Sequence, residues 1–428
     1  MLFNQTLTYI SLFSGAGVGC YGLLEEGFEC VATNEILEKR LNIQRINRKC
    51  KLDESYISGD IKKPETKEKI LKQIGFYSKK FGNDRVDLVV ATPPCQGMSV
   101  ANHKKKNDEI KRNSLVVESI DLIKQIKPRF FILENVPSFY KTGCIDKNDN
   151  LLEIGSMIEQ NLSGDYMLYD EVINFKNFGA NSSRTRTLVI EVCKEFKDFT
   201  SALEFFPDFK QEKTLKEVIG SLKPLTWGEY DSADFYHSFR TYPKHMQEWI
   251  KDLKEGQSAF ENIQDAISDL AYLCSNEGAF ESDYLNPIQS SYQALMRKDS
   301  PKLYNHQATN HSQAALEKLK LINKEQGKEC LPKNLHGKQQ FKSTWGRLNW
   351  NKISPTIDTR FDTPSNGTNS HPELHRSITP REAARIQSFS DNYIFYGNKT
   401  SVCKQIGNAV PPLLALALGK AILKSLRK

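Results

Sequence analysis

The stretch LTYISLFSGAGVG, residues Leu7 to Gly19, decides the fold class because an apolar run passes directly into a glycine-rich turn. The pattern predicts a buried strand followed by a helix near Val18 to Glu26. The glycines at 15, 17 and 19 permit a tight turn and allow a ligand to approach backbone N–H groups at the start of that helix.

The same alternation of strands and helices continues to about residue 195. Further apolar runs are CVATNEI at 30–36, VDLVVATPP at 86–94, FFILENV at 130–136 and TLVIEV at 187–192. A helical pattern covers Asn113 to Lys127. This rhythm predicts an α/β fold with a doubly wound, mostly parallel sheet.

Composition places the chain among ordinary globular proteins. The 428 residues are 39% hydrophobic and 26% charged with a net charge of +7, which disfavours disorder and a membrane channel. We find no apolar run of the roughly 18 residues that a membrane span needs and no secretion signal, so we expect a cytoplasmic protein. The nine cysteines include no C-x-x-C pair, so neither a zinc site nor a disulfide framework is indicated.

Two carboxylates follow the glycine-rich turn at a spacing that is typical of nucleoside-binding sites. Glu35 ends the next strand, where it can accept hydrogen bonds from both hydroxyls of a ribose. Asp60 could bind an adenine amino group, or form an Asx turn or helix cap before Lys62, and both interpretations stay open. No G-K-[ST] follows the glycines, which disfavours ATP hydrolysis.

Reactive groups are predicted at the carboxyl edge of the sheet. Cys95 follows a hydrophobic strand and two prolines, and Glu134 ends another strand. If those strands are neighbours, the two side chains share one crevice. Partial desolvation would let Glu134 keep a proton and act as a hydrogen-bond donor or general acid, although a surface carboxylate capping the next turn is the alternative. Arg184 and Arg186 are predicted to face one anionic or carbonyl-rich ligand.

Charge is unevenly distributed in the middle of the chain. Residues 228–296 hold twelve acidic against four basic side chains, whereas residues 297–360 hold thirteen basic against five acidic ones. We interpret this region as a separate domain whose basic half meets a polyanion, the alternative being a solvated surface.

Together these motifs resemble the DNA cytosine-5 methyltransferases. The resemblance covers residues 7–192 and about 353–428, and leaves the middle region unmatched, where that family keeps its variable target recognition region. Its motifs, in the family's order, are FSGAGVG, NE at 34–35, GDI at 59–61, PPCQG at 93–97, ENV at 134–136, RTR at 184–186, ITPREAARIQSF at 378–389 and IGNAVPP at 406–412.

The resemblance implies a transferase that uses S-adenosyl-L-methionine and double-stranded DNA. It implies a catalytic domain at 1–195, a target recognition domain at 196–395 and a C-terminal segment at 396–428 that returns to the first domain. The implied cofactor residues are Phe13, Gly15, Gly17, Glu35, Asp60, Ile61, Leu115, Asn408 and Val410. The implied catalytic residues are Cys95 as nucleophile, Glu134 at N3 of the cytosine, Arg186 at the base, and Arg184 and Asn135 in the same pocket.

DNA contacts are expected from the basic loop after Cys95 and from the middle domain. The candidates are Gln96, Lys104, Lys105, Lys106 and Arg112 in the loop, and Lys338, Gln339, Trp345, Arg347 and Trp350 in the middle domain. A cognate restriction endonuclease that acts on the same site without stable association is the expected partner. The chain departs from the family where Asn181 and Ser182 replace the usual Pro-Gln.

Three rival functions remain open. An RNA or tRNA cytosine-5 methyltransferase would avoid the cost of base flipping. A non-catalytic DNA-binding relative would keep the fold, although the presence of both Cys95 and Glu134 argues against it. A nicotinamide oxidoreductase would use the glycines and Glu35 but leaves PPCQ unexplained.

Overall fold

The structure is a computed structural model that describes most of the first half of the chain and its C-terminal part. The described residues are 6–82, 85–94, 113–196, 204, 212–225, 305–322, 327–336 and 343–426.

The described strands and helices alternate through the first part of the chain, as predicted. The strands are β1 (Thr8–Leu12), β2 (Glu29–Glu35), β3 (Tyr56–Ser58), β4 (Leu88–Ala91), β5 (Phe130–Asn135), β6 (Gly143–Ile145), β7 (Leu151–Glu153), β8 (Tyr166–Asn174), β9 (Ser182–Ser183), β10 (Thr185–Cys193), β11 (Gly346–Arg347), β12 (Ser354–Pro355) and β13 (Thr368–Ser370). The helices are α1 (Tyr21–Glu25), α2 (Glu38–Ile46), α3 (Pro64–Phe81), α4 (Leu115–Ile126), α5 (Ile154–Leu162), α6 (Leu215–Ile219), α7 (Gln313–Leu321), α8 (Pro380–Ile386), α9 (Lys399–Gly407) and α10 (Pro412–Leu426).

A seven-stranded sheet organises the first part of the chain, with strand order β3-β2-β1-β4-β5-β10-β8. The first five strands in this order pair in parallel, and β10 runs antiparallel to both β5 and β8. The predicted α/β fold with a mostly parallel sheet is confirmed. The strand order reverses between β1 and β4, which is the switch point where ligands bind in open α/β sheets.

Apolar residues cover both faces of this sheet, which explains the continuous hydrophobic runs of its central strands. On one face Ile10 and Val89 pack with α4 and α5, and on the other Tyr9 and Leu88 pack with α10. A third cluster joins α6, α8 and α9 to Ala16 and Val18 of the glycine-rich turn region.

The C-terminal helix α10 packs on the first part of the chain. Gly22 of α1 lies directly against the backbone of α10 at Pro412 and Leu416. The expectation that no apolar run is long enough for a membrane span is wrong for one stretch of the described residues, Lys399–Leu426, although its apolar window is 72% buried inside the protein. The apolar character of this stretch is therefore that of a core element.

Candidate active site

The segment that leads to Cys95 is held between two other strand ends. The Thr92 hydroxyl donates a hydrogen bond to the carbonyl of Phe13 (3.2 Å), and Asn135 Nδ2 donates to the carbonyl of Pro93 (2.9 Å). Since Phe13 follows β1 and Asn135 ends β5, residues 92–94 are fixed between the glycine-rich turn and the end of β5. Cys95 itself, with Gln96, Lys104, Lys105, Lys106 and Arg112, lies outside the described residues.

Glu134 is a buried carboxyl group at the end of β5, only 9% exposed. Burial raises the pKa of Glu134 above its ordinary value, and the positive charges of Arg186 and then Arg184 oppose this shift. Among the described residues no group hydrogen-bonds to its Oε1, although Arg186 Nε lies 3.4 Å away. Burial therefore shifts the Glu134 carboxyl toward its protonated form, and its buried Oε1 accepts no hydrogen bond from the described residues.

Arg184 and Arg186 reach the same edge because β10 is antiparallel to β5. Thr187 pairs with Asn135, so the beginning of β10 lies beside the end of β5. Arg186 lies near Glu134, whereas Arg184 Nη1 donates to the carbonyl of Gly407 (3.0 Å). One guanidinium nitrogen of Arg184 is therefore held by the C-terminal part of the chain, while the positive charge of Arg184 still acts on the Glu134 carboxyl.

The Asn181-Ser182 pair that replaces Pro-Gln makes its own contacts. Asn181 Nδ2 donates to the carbonyl of Arg385 (2.9 Å), and the Ser182 hydroxyl donates to Gln387 Oε1 (3.4 Å). Gln387 Nε2 in turn donates to the carbonyl of Ile406 (3.1 Å). These bonds tie the stretch before Arg184 to α8 and α9 without the side chains of the usual motif.

The glycine-rich turn and Glu35 form the second half of the site. Glu35 is buried, and its Oε2 accepts a hydrogen bond from the Gly15 amide (2.9 Å). Its Oε1 accepts from the Leu37 amide (3.2 Å) and from Arg40 Nη1 (3.1 Å). Gly15 has a φ of 54°, and a Cβ at this position would meet no atom within 4 Å, so open space adjoins its backbone. Phe13 also has a positive φ, of 54°.

The other predicted cofactor residues are distributed over three segments. Asp60 is half-buried and accepts a hydrogen bond from the Lys62 amide (3.0 Å), which is the Asx turn left open by the sequence. Ile61 is buried, and Leu115 begins α4 beside the same apolar cluster that Phe13 contacts. Since an Asx turn leaves the second carboxylate oxygen free to bind, both interpretations of Asp60 are compatible with its placement.

The C-terminal motif IGNAVPP, residues 406–412, lies next to Gly19, which precedes α1. A Cβ on Gly19 would lie 3.4 Å from Val410 Cβ, and Asn408 is exposed at the end of α9. The C-terminal motif therefore packs beside the glycine-rich turn.

Arg347 occupies a buried structural position that does not suit its predicted DNA contact. Its side chain is surrounded by protein, and the residue is 7% exposed. The guanidinium donates to the backbone carbonyls of Leu319, Ile322, His371 and Leu374. The other candidate DNA contacts of the middle region are placed differently. Trp345 is buried in a cluster with Leu319 and Leu331, and Trp350 donates a hydrogen bond through Nε1 to Glu373. Lys338 and Gln339 lie outside the described residues.

Two side chains that hold the glycine-rich turn were not predicted. Gln44 of α2 donates to the carbonyl of Gly15, and Tyr393 donates to the carbonyl of Ala16, each at 2.7 Å. Neither residue belongs to a recognisable motif. Gln44 is a single polar side chain in a helix and Tyr393 lies in an irregular segment after α8, so neither gives a sequence signal of such a role.

The fold has a solved counterpart in a prophage-encoded Escherichia coli protein described as a DNA modification methyltransferase. The two align over 99% of this chain and 100% of the other, with a TM-score of 0.62 and 23% identity. Together with the strand order and the edge site, this similarity defines the α/β methyltransferase fold.

The particular family follows from the sequence comparisons. The sequence model for C-5 cytosine-specific DNA methylases matches residues 7–424. The type II methyltransferase M.DdeI of Desulfomicrobium norvegicum is 30% identical over 79% of this chain and 72% of its own length. M1.HphI of Haemophilus parahaemolyticus is 25% identical over 99% and 88%. The chain belongs to the C-5 cytosine-specific DNA methylase family and is a DNA (cytosine-5-)-methyltransferase.

Proposed function

We propose that this enzyme methylates C5 of a specific cytosine in duplex DNA, with S-adenosyl-L-methionine as donor and Cys95 as a covalent nucleophile. The observation that carries the proposal is the position of Thr92–Pro94, held at once by Phe13 of the glycine-rich turn and by Asn135 beside Glu134. A nucleophile that follows this segment directly would be close to both halves of the site.

The residues present fit S-adenosyl-L-methionine. Gly15 borders open space, and the buried Glu35 carboxylate accepts a hydrogen bond from the Gly15 amide. The same carboxylate would bind the ribose of the cofactor beside the turn. Phe13, Gly17, Asp60, Ile61, Leu115, Asn408 and Val410 are the remaining residues proposed to hold the cofactor. When bound, it supplies an electrophilic methyl group.

The chemical problem is that cytosine C5 is a weak nucleophile. Attack of the Cys95 thiolate on C6 forms a C–S bond and moves electron density to C5. A proton or hydrogen bond from Glu134 to N3 stabilises the charge that develops on the ring, and Arg186 stabilises it at O2. Once C5 has taken the methyl group, which would leave S-adenosyl-L-homocysteine, loss of the C5 proton to a base restores the C5–C6 double bond and expels the Cys95 thiolate.

The target base must leave the helix before this attack, because neighbouring bases cover its ring in a duplex. Flipping costs a few kcal/mol. Lys104, Lys105, Lys106 and Arg112 would offset this cost by contacting phosphates, and Gln96 is a further residue proposed to contact the DNA. Residues 196–395 would select the sequence, without Arg347, whose guanidinium is occupied by backbone carbonyls.

Methyl transfer to duplex DNA and to total tRNA provides the direct test. With tritiated donor, we expect label in duplex DNA with the native protein and none with Cys95→Ser, which should still bind both cofactor and DNA. Label found only in tRNA would contradict the DNA assignment. Near-native turnover of Cys95→Ser would remove the thiol from the mechanism.

We also propose that the enzyme acts in a restriction–modification system. The type II naming of M.DdeI and M1.HphI supports this assignment. The partner would be an endonuclease that recognises the same site without binding stably to the methyltransferase. Bisulfite sequencing of plasmid DNA after expression should show one modified cytosine in a short recurrent sequence, and that plasmid should resist the matching endonuclease.

A further inference from the structure

The four backbone carbonyls of residues 13–16 in the glycine-rich turn each accept a hydrogen bond from a donor of the protein. Two of the four donors come from the turn and from the end of β4, and the other two are the side chains of Gln44 and Tyr393. The pairs are Phe13 O with the Thr92 hydroxyl (3.2 Å), Ser14 O with the Gly17 amide (2.8 Å), Gly15 O with Gln44 Nε2 (2.7 Å) and Ala16 O with the Tyr393 hydroxyl (2.7 Å).

The orientation of the Gln44 amide is determined by a buried chain of hydrogen bonds. Lys49 Nζ, which can only donate, binds Thr33 Oγ1 (3.1 Å). The Thr33 hydroxyl therefore uses its proton to donate to Gln44 Oε1 (2.7 Å). The Gln44 Nε2 group then faces Ser14 Oγ and the Gly15 carbonyl, both at 2.7 Å. Thr33, Gln44 and Lys49 are all buried, so water does not compete for these bonds.

Gln44 also explains why residue 17 is glycine. A Cβ at Gly17 would lie 2.6 Å from Gln44 Cγ and 3.3 Å from Lys49 Cδ, and φ is 85°. A Cβ at Gly15, by contrast, would meet nothing within 4 Å. The two glycines thus serve different purposes, since Gly15 borders open space and Gly17 makes room for the side chain that holds the turn.

Tyr393 holds the turn from the C-terminal part of the chain. It follows α8, is fully buried and packs edge-on against Tyr21 with ring centroids 5.0 Å apart. Burial raises the pKa of its hydroxyl well above the ordinary value, so it remains a neutral donor. Asn47, just after α2, is hydrogen-bonded to both the amide (3.0 Å) and the carbonyl (2.9 Å) of Ile394, which fixes this segment against α2.

We infer that Gln44 and Tyr393 are positioning residues that hold the glycine-rich turn in its cofactor-binding conformation, and that Tyr393 couples this site to the segment that follows α8. The inference rests on the proposed use of S-adenosyl-L-methionine. A turn whose carbonyls are already fixed loses less conformational entropy when a ligand binds, so these bonds contribute to affinity without touching the ligand.

The test compares Tyr393→Phe and Gln44→Met with Tyr77→Phe as control. Tyr393→Phe removes one hydroxyl, Gln44→Met removes the amide at similar volume, and Tyr77→Phe removes another buried tyrosine hydroxyl, bonded to Glu29 and far from the turn. Calorimetry with S-adenosylhomocysteine should give affinities about 5- to 20-fold weaker for the first two variants and unchanged for the control. Hydrogen exchange at the amides of residues 14–17 without ligand should be faster only in the first two.

Steady-state kinetics distinguish a positioning role from a catalytic role. The KM for S-adenosyl-L-methionine should rise in Tyr393→Phe while kcat at saturating donor stays within about twofold. Native-like affinity and exchange in Tyr393→Phe would overturn the inference, even if Gln44→Met failed to fold. A native protein that binds neither S-adenosylmethionine nor S-adenosylhomocysteine would instead overturn the proposed cofactor, and this inference with it.

Discussion

Glu134 illustrates how the environment of a single residue sets its chemistry. Its position at the end of a buried strand removes water, which favours the neutral carboxylic acid. Arg186 limits this effect but does not make a hydrogen bond of good geometry with Oε1. A carboxyl group in this state can donate to a ring nitrogen at a pH where an exposed glutamate cannot.

Replacement of Glu134 by Gln should therefore reduce kcat/KM by about 10² to 10⁴-fold, because the amide cannot transfer a proton. In the native enzyme the acid form is lost as pH rises through the elevated pKa, so kcat/KM should fall on the alkaline side. Single-turnover rates between pH 5.5 and 9 would measure both effects. The assignment would be contradicted if Glu134→Gln had the native rate, or if its rate fell at alkaline pH in the same way as that of the native enzyme. S-adenosylhomocysteine affinity, which should not change, is the control.

At the residue level, the sequence predicts polar groups at strand ends better than those elsewhere. Glu35, Glu134 and Asn135 were predictable because parallel strands present their carboxyl ends at one edge. Gln44 was not, since its role depends on Thr33 and Lys49, which only the fold brings near it. Arg347 was assigned to DNA from local basic charge, but the net charge of a segment does not show which of its side chains are buried.

At the level of elements, β10 shows that a hydrophobic pattern does not reveal the direction of a strand in a sheet. TLVIEV resembles the parallel strands because it too is covered on both faces, and nothing in its composition reveals that it runs antiparallel. That direction is what brings Arg186 to Glu134. The edge strand β8 was not predicted, because Asp170 and Glu171 in its middle are charged and exposed.

Within β10, Glu191 should lower the stability of the protein at neutral pH. Burial, together with the negative charge of Asp170 on β8, raises its pKa to about 10. The folded protein therefore keeps a proton that the unfolded chain releases above the ordinary pKa. The free energy of unfolding should decrease as pH rises from about 5 to 8, by at most about 1.4 kcal/mol per pH unit from this group.

Glu191→Gln removes this titration and should be more stable than the native protein at pH 8, by about 1 to 3 kcal/mol, with a smaller difference at pH 5. Urea unfolding at both pH values would measure it. Glu171→Gln, at an exposed position on β8, is the control and should follow the native pH dependence. A constant difference between Glu191→Gln and native protein at the two pH values would show that Glu191 does not keep its proton.

At the level of the whole molecule, the site depends on contact between the two ends of the chain. Helix α10 packs on α1, Val410 packs against Gly19, and Tyr393 binds the carbonyl of Ala16. The resemblance implied that the C-terminal segment returns to the first domain. It could not predict the closeness of the approach, which depends on a glycine in α1 that no motif identifies.

Gly22→Ala tests this contact, because an added Cβ would overlap the α10 backbone at Pro412 and Leu416. We expect a loss of about 1 to 3 kcal/mol in the free energy of unfolding. Gly75→Ala provides the matched control in α3, where a Cβ would meet nothing within 4 Å. That variant should gain about 0.5 to 1 kcal/mol through helix propensity. Equal stabilities of the two variants, measured by urea unfolding, would argue against close packing of α1 on α10.

The covalent step is tested most directly with a duplex that carries 5-fluorocytosine at the modified position identified by bisulfite sequencing. Because the fluorine at C5 cannot leave as the proton does, the thiolate is not expelled after methyl transfer. In the presence of S-adenosyl-L-methionine, the native enzyme should form a complex with this strand that survives denaturation, and mass spectrometry should locate the link at Cys95. Cys95→Ala should form none. A native enzyme that methylates ordinary duplex but forms no such complex, or forms it through another residue, would contradict the mechanism.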